Sequence, residues 1–223
     1  MHGETGNITA QPPRGYAKGR ARRREILDQA MALFGEAGYR GASLREIAAR
    51  CGLSHPGLLH HFPTKEALLL AVLEHRDEVD AELLSGRAGL AMLRGLVGLA
   101  ALNATRPGIV ELFTVLSAEA TAAGHPAHAY FARRYQATVG TIERAYEQAR
   151  ADGVLQPGIE AAAAARQFVA LMDGLQIQWL LSHSRPDMAG ILRAHLQAQL
   201  TVPLAAEPPP AQARGPRCGA ASP

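Results

Sequence analysis

Apolar residues recur three and four positions apart along most of the chain, the spacing of one face of an α-helix, and no run alternates as a half-buried strand does. The first such stretch covers about Arg20 to Ala37, with Ile26, Ala30, Leu33, Phe34 and Ala37 on one side, and Gly38 closes it. Ser43 followed three residues later by Glu46 is a capping box, which predicts a second helix from Leu44 to about Cys51 that Gly52 breaks. Ser54 caps a third; Pro56 fits its first turn and Pro63 forces its end near His61 or Phe62. From Thr64 a longer fourth helix covers residues 65–84. Breaks at Gly86 and Gly89, at Arg106 and Pro107, at Gly124 to Pro126, at Gly153 to Gly158 and at Ser184 to Pro186 leave five more. Those five fall at about 89–104, 107–122, 126–151, 160–182 and 187–201. The pattern therefore predicts an all-α protein of about nine helices, with a compact N-terminal unit at 20–66 and a larger helical unit at 67–203. Residues 1–19 and 204–223 have no apolar periodicity and are rich in Gly and Pro, so a disordered basic arm and a disordered tail are expected.

Composition supports this reading and narrows the function classes. Hydrophobic residues make up 48% and charged residues 19% of 223, enough to build a real core. No stretch reaches the roughly eighteen uncharged apolar residues of a membrane span, and Met1 to Ala10 lacks the apolar centre of a signal peptide. A soluble, cytoplasmic protein with no membrane partner is expected. Cys51 sits in a helical pattern and Cys218 in the tail, so both read as free thiols. The net charge of +3 conceals an asymmetry: residues 1–66 carry ten Lys or Arg against six Asp or Glu, the remainder thirteen against fourteen. Arg14, Lys18, Arg20, Arg22, Arg23 and Arg24 follow one another with no acid between them, which suits a segment lying against phosphates. For Arg14 and Lys18 a solvated tail is an equal reading.

Catalytic and metal chemistry find little to stand on. There is no nucleophile in a strained turn, no glycine-rich phosphate loop and no paired carboxylates at motif spacing; Ser54 is explained as a cap. Adjacent His60 and His61 point about 100° apart on a helix, and neither they nor His125 and His128 have a carboxylate or cysteine at ligand spacing. No enzyme activity, cofactor or metal is expected.

The stretch SLREIAARCGLSHPGLLHHFPTKEALL is the most informative part of the chain. It reads as two short helices joined by a tight turn at Gly52, with Ile47 and Ala48 facing inward and Leu53, Leu58 and Phe62 locking the second helix onto the first. His55, Pro56, Leu59 and His60 are left on the outer face, as befits a helix that enters a groove about 12 Å wide. With Phe34 and Gly38 before it and His61-Phe62-Pro63-x-Lys65-Glu66 at its end, the segment from Arg22 to Leu70 resembles the N-terminal domain of the tetracycline-repressor (TetR) family of bacterial regulators. The later helices resemble the family's regulatory domain in number, length and order.

That resemblance implies a three-helix DNA-binding domain with a helix-turn-helix, followed by a helical ligand-binding and dimerisation domain. Ser43 and Arg45 would lie near the DNA backbone, with Arg45 also within reach of a base edge. His55, Pro56, Gly57 and His60 would lie over the bases, with Leu59, His61 and Lys65 near phosphates and Arg22 and Arg23 supporting them. Leucine at 59 replaces a common aromatic hydroxyl and glycine at 57 a frequent threonine, so direct readout is sparse and leans on Arg45, the histidines and DNA shape.

The resemblance further implies an effector pocket in the later helices, for a hydrophobic or amphipathic small molecule. Its candidate lining is Met92, Leu96, Asn103, Phe113 and Leu116, together with Ser117, Phe131, Phe168, Met172 and Gln176; each of these is more often simple core. The last two helices are apolar on more than one face. Ala165, Val169, Met172, Gln176 and Trp179, with Ile191, His195 and Ala198, are the candidates for a two-fold homodimer interface, the alternative being a central place in the monomer core. The implied function is a ligand-responsive repressor bound to a double-stranded, pseudo-palindromic operator in bacterial cytoplasm, associated with the nucleoid. An activator or ligand-independent regulator of the same fold is the alternative, and a helical scaffolding protein without an operator the reading from another class.

Overall fold

The computed structural model describes residues 14–205, which form α1 (Arg14–Gly41), α2 (Leu44–Arg50), α3 (His55–His61), α4 (Lys65–Leu84), α5 (Gly89–Asn103), α6 (Pro107–Glu119), α7 (His128–Ala151), α8 (Ala161–Leu181) and α9 (Met188–Gln197). The helix starts and stops follow the local chemistry. The side-chain oxygens of Ser43, Ser54 and Thr64 accept from the backbone N–H of Glu46, Gly57 and Ala67 at 3.0 to 3.1 Å, satisfying one orphan donor in each helix. Gly52, at φ 61°, lets Gly52 N–H reach Ala49 O and Leu53 N–H reach Ala48 O, a paired closure that ends α2 and sets the turn into α3. The Glu46 carboxylate pairs with Arg50 at 3.3 Å, so Ser43 alone supplies the cap hydrogen bond to α2.

Three boundaries depart from the periodicity. α1 begins at Arg14, inside the segment expected as a disordered arm, and its regular turn breaks at Gly38, whose φ of 70° and ψ of 165° leave the helical region. α6 stops at Glu119, where His128 Nδ1 lies 2.8 Å from the carbonyl of Ala120. α9 stops at Gln197 although Leu196 and Leu200 continue its apolar spacing. There the backbone exchanges the helix for an antiparallel bridge between Leu200 and Leu155, with Gln156 N–H donating to Gln199 O and Thr201 N–H to Val154 O, both at 2.9 Å. Pro203, which disfavours helix in the residue before it, and burial of Leu200 against the loop make that exchange favourable. Residues 1–13 and 206–223, including most of the expected arm and tail, lie outside the described residues.

Two apolar cores organise the helices. One joins α1 through α4 around Ile26, Phe34, Ile47, Leu58 and Phe62, and continues into α6 and the start of α7 through Leu112, Phe113, Leu116 and Phe131. The other gathers α5, α7, α8 and α9 around Leu93, Tyr146, Phe168, Trp179 and Leu192. The first core therefore crosses the division expected at residue 66. No single described helix is long and apolar enough to cross a membrane.

Candidate DNA-reading surface and cavity

Leu58 is fully buried and Phe62 nearly so, and these two hold the seven-residue α3 against the rest of the unit. The opposite face carries Pro56 and His60 exposed, with His55, Gly57, Leu59 and His61 half-buried around them. Arg45 is exposed on the first turn of α2, without a side-chain partner among the described residues, and Ser43 is occupied as its cap. Arg45, Pro56 and His60 are thus each open to a ligand, with no partner of the Arg45 guanidinium to displace before a phosphate or base edge is met.

The other basic residues that the sequence assigns to phosphates have internal partners. Arg22 donates to the carbonyl of Cys51 at the end of α2 and to Glu25 at 2.6 Å. Arg23 lies over the Phe62 ring at 4.3 Å, with its Nη1 3.4 Å from the carbonyl of His61 at the end of α3. Lys65 reaches the carbonyl of Arg40 at 3.3 Å and lies over the Tyr39 ring at 4.7 Å, at the end of α1. A cation at a helix C-terminus meets unpaired carbonyls and the negative end of the dipole, so these three side chains cap the three helices of the unit. His60 and His61 place their rings edge to face at 5.8 Å, and among the described residues no three His, Cys, Asp or Glu side chains gather as a metal site.

A cavity of about 770 Å³ opens between α4, α5, α6, α7 and α8. Of the sequence candidates, Leu96, Asn103, Phe113, Ser117, Phe131, Phe168, Met172 and Gln176 line it. Met92 and Leu116 do not: Met92 packs on the second core, and Leu116, 1% exposed, points into the first. Periodicity missed its charged wall, where Arg76 of α4 and Arg134 of α7 meet Tyr135 and Asp173. Arg76 lies over the Phe113 ring at 4.1 Å and Arg134 at 5.4 Å. Arg76 Nε is 2.9 Å from Asp80 but outside hydrogen-bond geometry, and burial pushes its pKa down despite that carboxylate. Arg134 Nε donates to Asp77 at 2.9 Å, and the Tyr130 hydroxyl donates to the same carboxylate at 2.5 Å. Burial holds the Asp173 carboxyl above the ordinary range, against the opposing hydrogen bond from Tyr135 at 2.8 Å and the field of Arg134. The Tyr135 hydroxyl is itself pushed up to about 12, by burial first and by Asp173 next. Such buried ions leave no apolar stripe in the sequence.

The expected dimer surface also divides. Ala165 is fully buried and Trp179 is 4% exposed, both inside the chain's own second core, with the Arg185 guanidinium 4.5 Å above the indole. Val169, Met172 and Gln176 face the cavity. Ile191 on α9 and Ala198 just beyond its end are exposed, and His195 is half-buried beside Gln199. Outward on α8 stand instead Ala170 and Leu181, the latter 80% exposed, with half-buried Gly174 between them and Ile177 turned to the mouth of the cavity.

Residues 26–72 match the profile of the bacterial regulatory proteins of the tetR family, and residues 97–201 match that of the BetI-type transcriptional repressor, C-terminal. The repressor AcnR of Corynebacterium glutamicum is 36% identical over 75 residues, 34% of this chain and 40% of that protein, so the match spans well under half of the curated relative. A TetR-family regulator from Rhodococcus sp. is 25% identical with a TM-score of 0.67, over 81% of this chain and all of that one. AibR, solved with isovaleryl coenzyme A and operator DNA, is 27% identical with a TM-score of 0.59, over 80% of this chain and 97% of its own.

Proposed function

Because the chain belongs to the tetR family of bacterial regulatory proteins, we propose that it is a sequence-specific DNA-binding transcriptional repressor, acting as a homodimer on a pseudo-palindromic operator and released by a small effector. The observation that carries this reading is the α2–α3 pair itself: a capped, tightly turned unit that exposes Arg45, without a side-chain partner among the described residues, on α2 and Pro56 and His60 on α3. In a two-fold dimer the two α3 helices would enter successive major grooves, about 34 to 36 Å apart or a multiple of that spacing. Exposed Ala170 and Leu181 of α8, with Ile191 and Ala194 of α9 and Ala198 just beyond it, would form the apolar two-fold surface of such a dimer. Acting on chromosomal DNA, the protein would work in the bacterial cytoplasm at the nucleoid.

The cavity would take the effector, as the complex of AibR with both a ligand and operator DNA supports. Its wall includes Arg76 of α4 and Phe113, Ser117 and Glu119 of α6, and both helices also touch the DNA-reading unit. Glu119, at the cavity rim, pairs with Arg40 just beyond the break in α1 at 3.6 Å, and Gly108 at the start of α6 crosses Gly35 of α1. A ligand that favours one arrangement of α4 and α6 would change the separation of the two α3 helices; only a difference in affinity for the two arrangements can do so. A gel shift on the DNA upstream of the gene tests the reading. Specific binding that Arg45→Ala weakens by tenfold or more, about 1.4 kcal/mol, is expected. No specific binding at physiological salt would return the scaffolding alternative.

A further inference from the structure

We propose that the cavity takes an amphipathic monoanion, its carboxylate-type head against the guanidiniums of Arg76 and Arg134 and its apolar body along Phe131, Phe168 and Met172. This rests on the reading of the cavity as the effector site and names the chemistry of what enters. Behind the two guanidiniums that line the cavity, Arg76 and Arg134, lie two carboxylates, one of them shared with Arg106. Asp80 lies 2.9 Å from Arg76 and 3.5 Å from Arg106, and Asp77 is 2.9 Å from Arg134. The Arg76 side chain is 7% exposed, and a buried cation without a full counter-charge is costly. Arg134 engages Asp77 through Nε alone, which leaves its terminal nitrogens for a second acceptor, the fork that matches a carboxylate.

Two carboxylates of the wall would favour a cation instead: Glu119, already paired with Arg40 at 3.6 Å and with His125 3.8 Å away, and Asp173. The Asp173 carboxylate already accepts from Tyr135 at 2.8 Å, and burial raises its pKa, so its charge is weakened. A ligand cation at Asp173 would also meet Arg76 and Arg134 across the same cavity. The remaining surface is mostly apolar, and the volume of about 770 Å³ suits a drug-sized molecule. Val115 and Ile177, 49% and 47% exposed, form an apolar lip between α6 and α8 through which an alkyl or aryl body can pass.

Calorimetry of the full chain with three matched probes, decanoate, decanol and decyltrimethylammonium, at submicellar concentrations, tests this. Decanoate is expected to bind about tenfold or more tightly than decanol, and the ammonium weakest. Arg134→Gln should cut the preference for decanoate over decanol severalfold while leaving decanol unchanged, and Arg134→Lys should restore part of the difference. The unchanged decanol arm shows that the variant is folded. Equal or tighter binding of the ammonium, or a decanoate affinity indifferent to Arg134→Gln, overturns the proposal and leaves the effector reading standing. Silence from all three probes removes both.

Discussion

At the residue scale the basic side chains that hold the DNA-reading unit together differ from Arg45, which is open to read. Arg22, Arg23 and Lys65 sit at the ends of α2, α3 and α1, whereas Arg45 has no partner among the described residues. Thermal unfolding of Arg23→Ala should therefore show a lower Tm with weakened DNA binding, while Arg45→Ala should keep its Tm and lose only DNA affinity. The opposite pattern would mean that the caps are incidental. Ser54→Ala removes the hydrogen bond to Gly57 N–H and should cost about 1 kcal/mol, read as a shifted denaturation midpoint. The three hydroxyl caps were legible because each partner lies three residues away. The basic caps were not, because Arg22 and Arg23 reach carbonyls 29 and 38 residues distant. Asp173 adds a pH dependence whose sign follows from its raised folded pKa. Its contribution to stability is fully present below the unfolded pKa and is lost as pH rises through the folded one. Asp173→Asn, which still offers an oxygen to Tyr135, should consequently gain Tm over the parent at pH 8, with the gain shrinking toward pH 4. A gain that does not change with pH would contradict the assignment.

At the element scale the decisive contact is the crossing of α1 and α6 at Gly35 and Gly108. A Cβ built on Gly108 would stand 2.5 Å from the carbonyl oxygen of Gly35 and 2.8 Å from its carbonyl carbon, backbone atoms that cannot swing aside. Gly108→Ala must push the two helices apart and should cost about 1 to 3 kcal/mol, with helical circular dichroism retained and Tm lowered. If α6 carries the effector signal to α1, the same variant should also need a different effector concentration to release DNA; a purely structural crossing would change Tm alone. This crossing lay beyond sequence reasoning, since Gly108 follows Pro107 and reads only as a helix start. The helices themselves were legible from their stripes and caps. The end of α9 was not, because the same Leu196 to Leu200 spacing serves a helix or a chain that turns to pair with Leu155.

At the scale of the whole molecule, the faces of α8 decide what each of its residues can do. Three surfaces compete for one helix: the second core takes Ala165 and Trp179, the cavity takes Val169, Met172 and Gln176, and the outside keeps Ala170, Gly174 and Leu181. Sequence periodicity marks such a helix as apolar all round without saying which face meets what, so it leaves Trp179 between a dimer interface and the monomer core; within the single chain the indole is buried in the second core. The two roles part cleanly under a charged substitution. Trp179→Asp places a carboxylate in a site that is 4% exposed, and should unfold the chain or greatly lower its Tm whatever the oligomeric state. Leu181→Asp changes a residue 80% exposed in the single chain and should leave the fold intact. If α8 and α9 form the two-fold surface, the repulsion of two such aspartates near the axis shifts sedimentation from dimer toward monomer, while circular dichroism and Tm at high protein concentration stay near the parent. Operator affinity should fall with it, because a monomer holds one half-site and loses the gain that a second, linked contact provides. A Leu181→Asp protein that still sediments as a dimer would move the interface off this stripe, and with it the geometry that sets the two α3 helices apart.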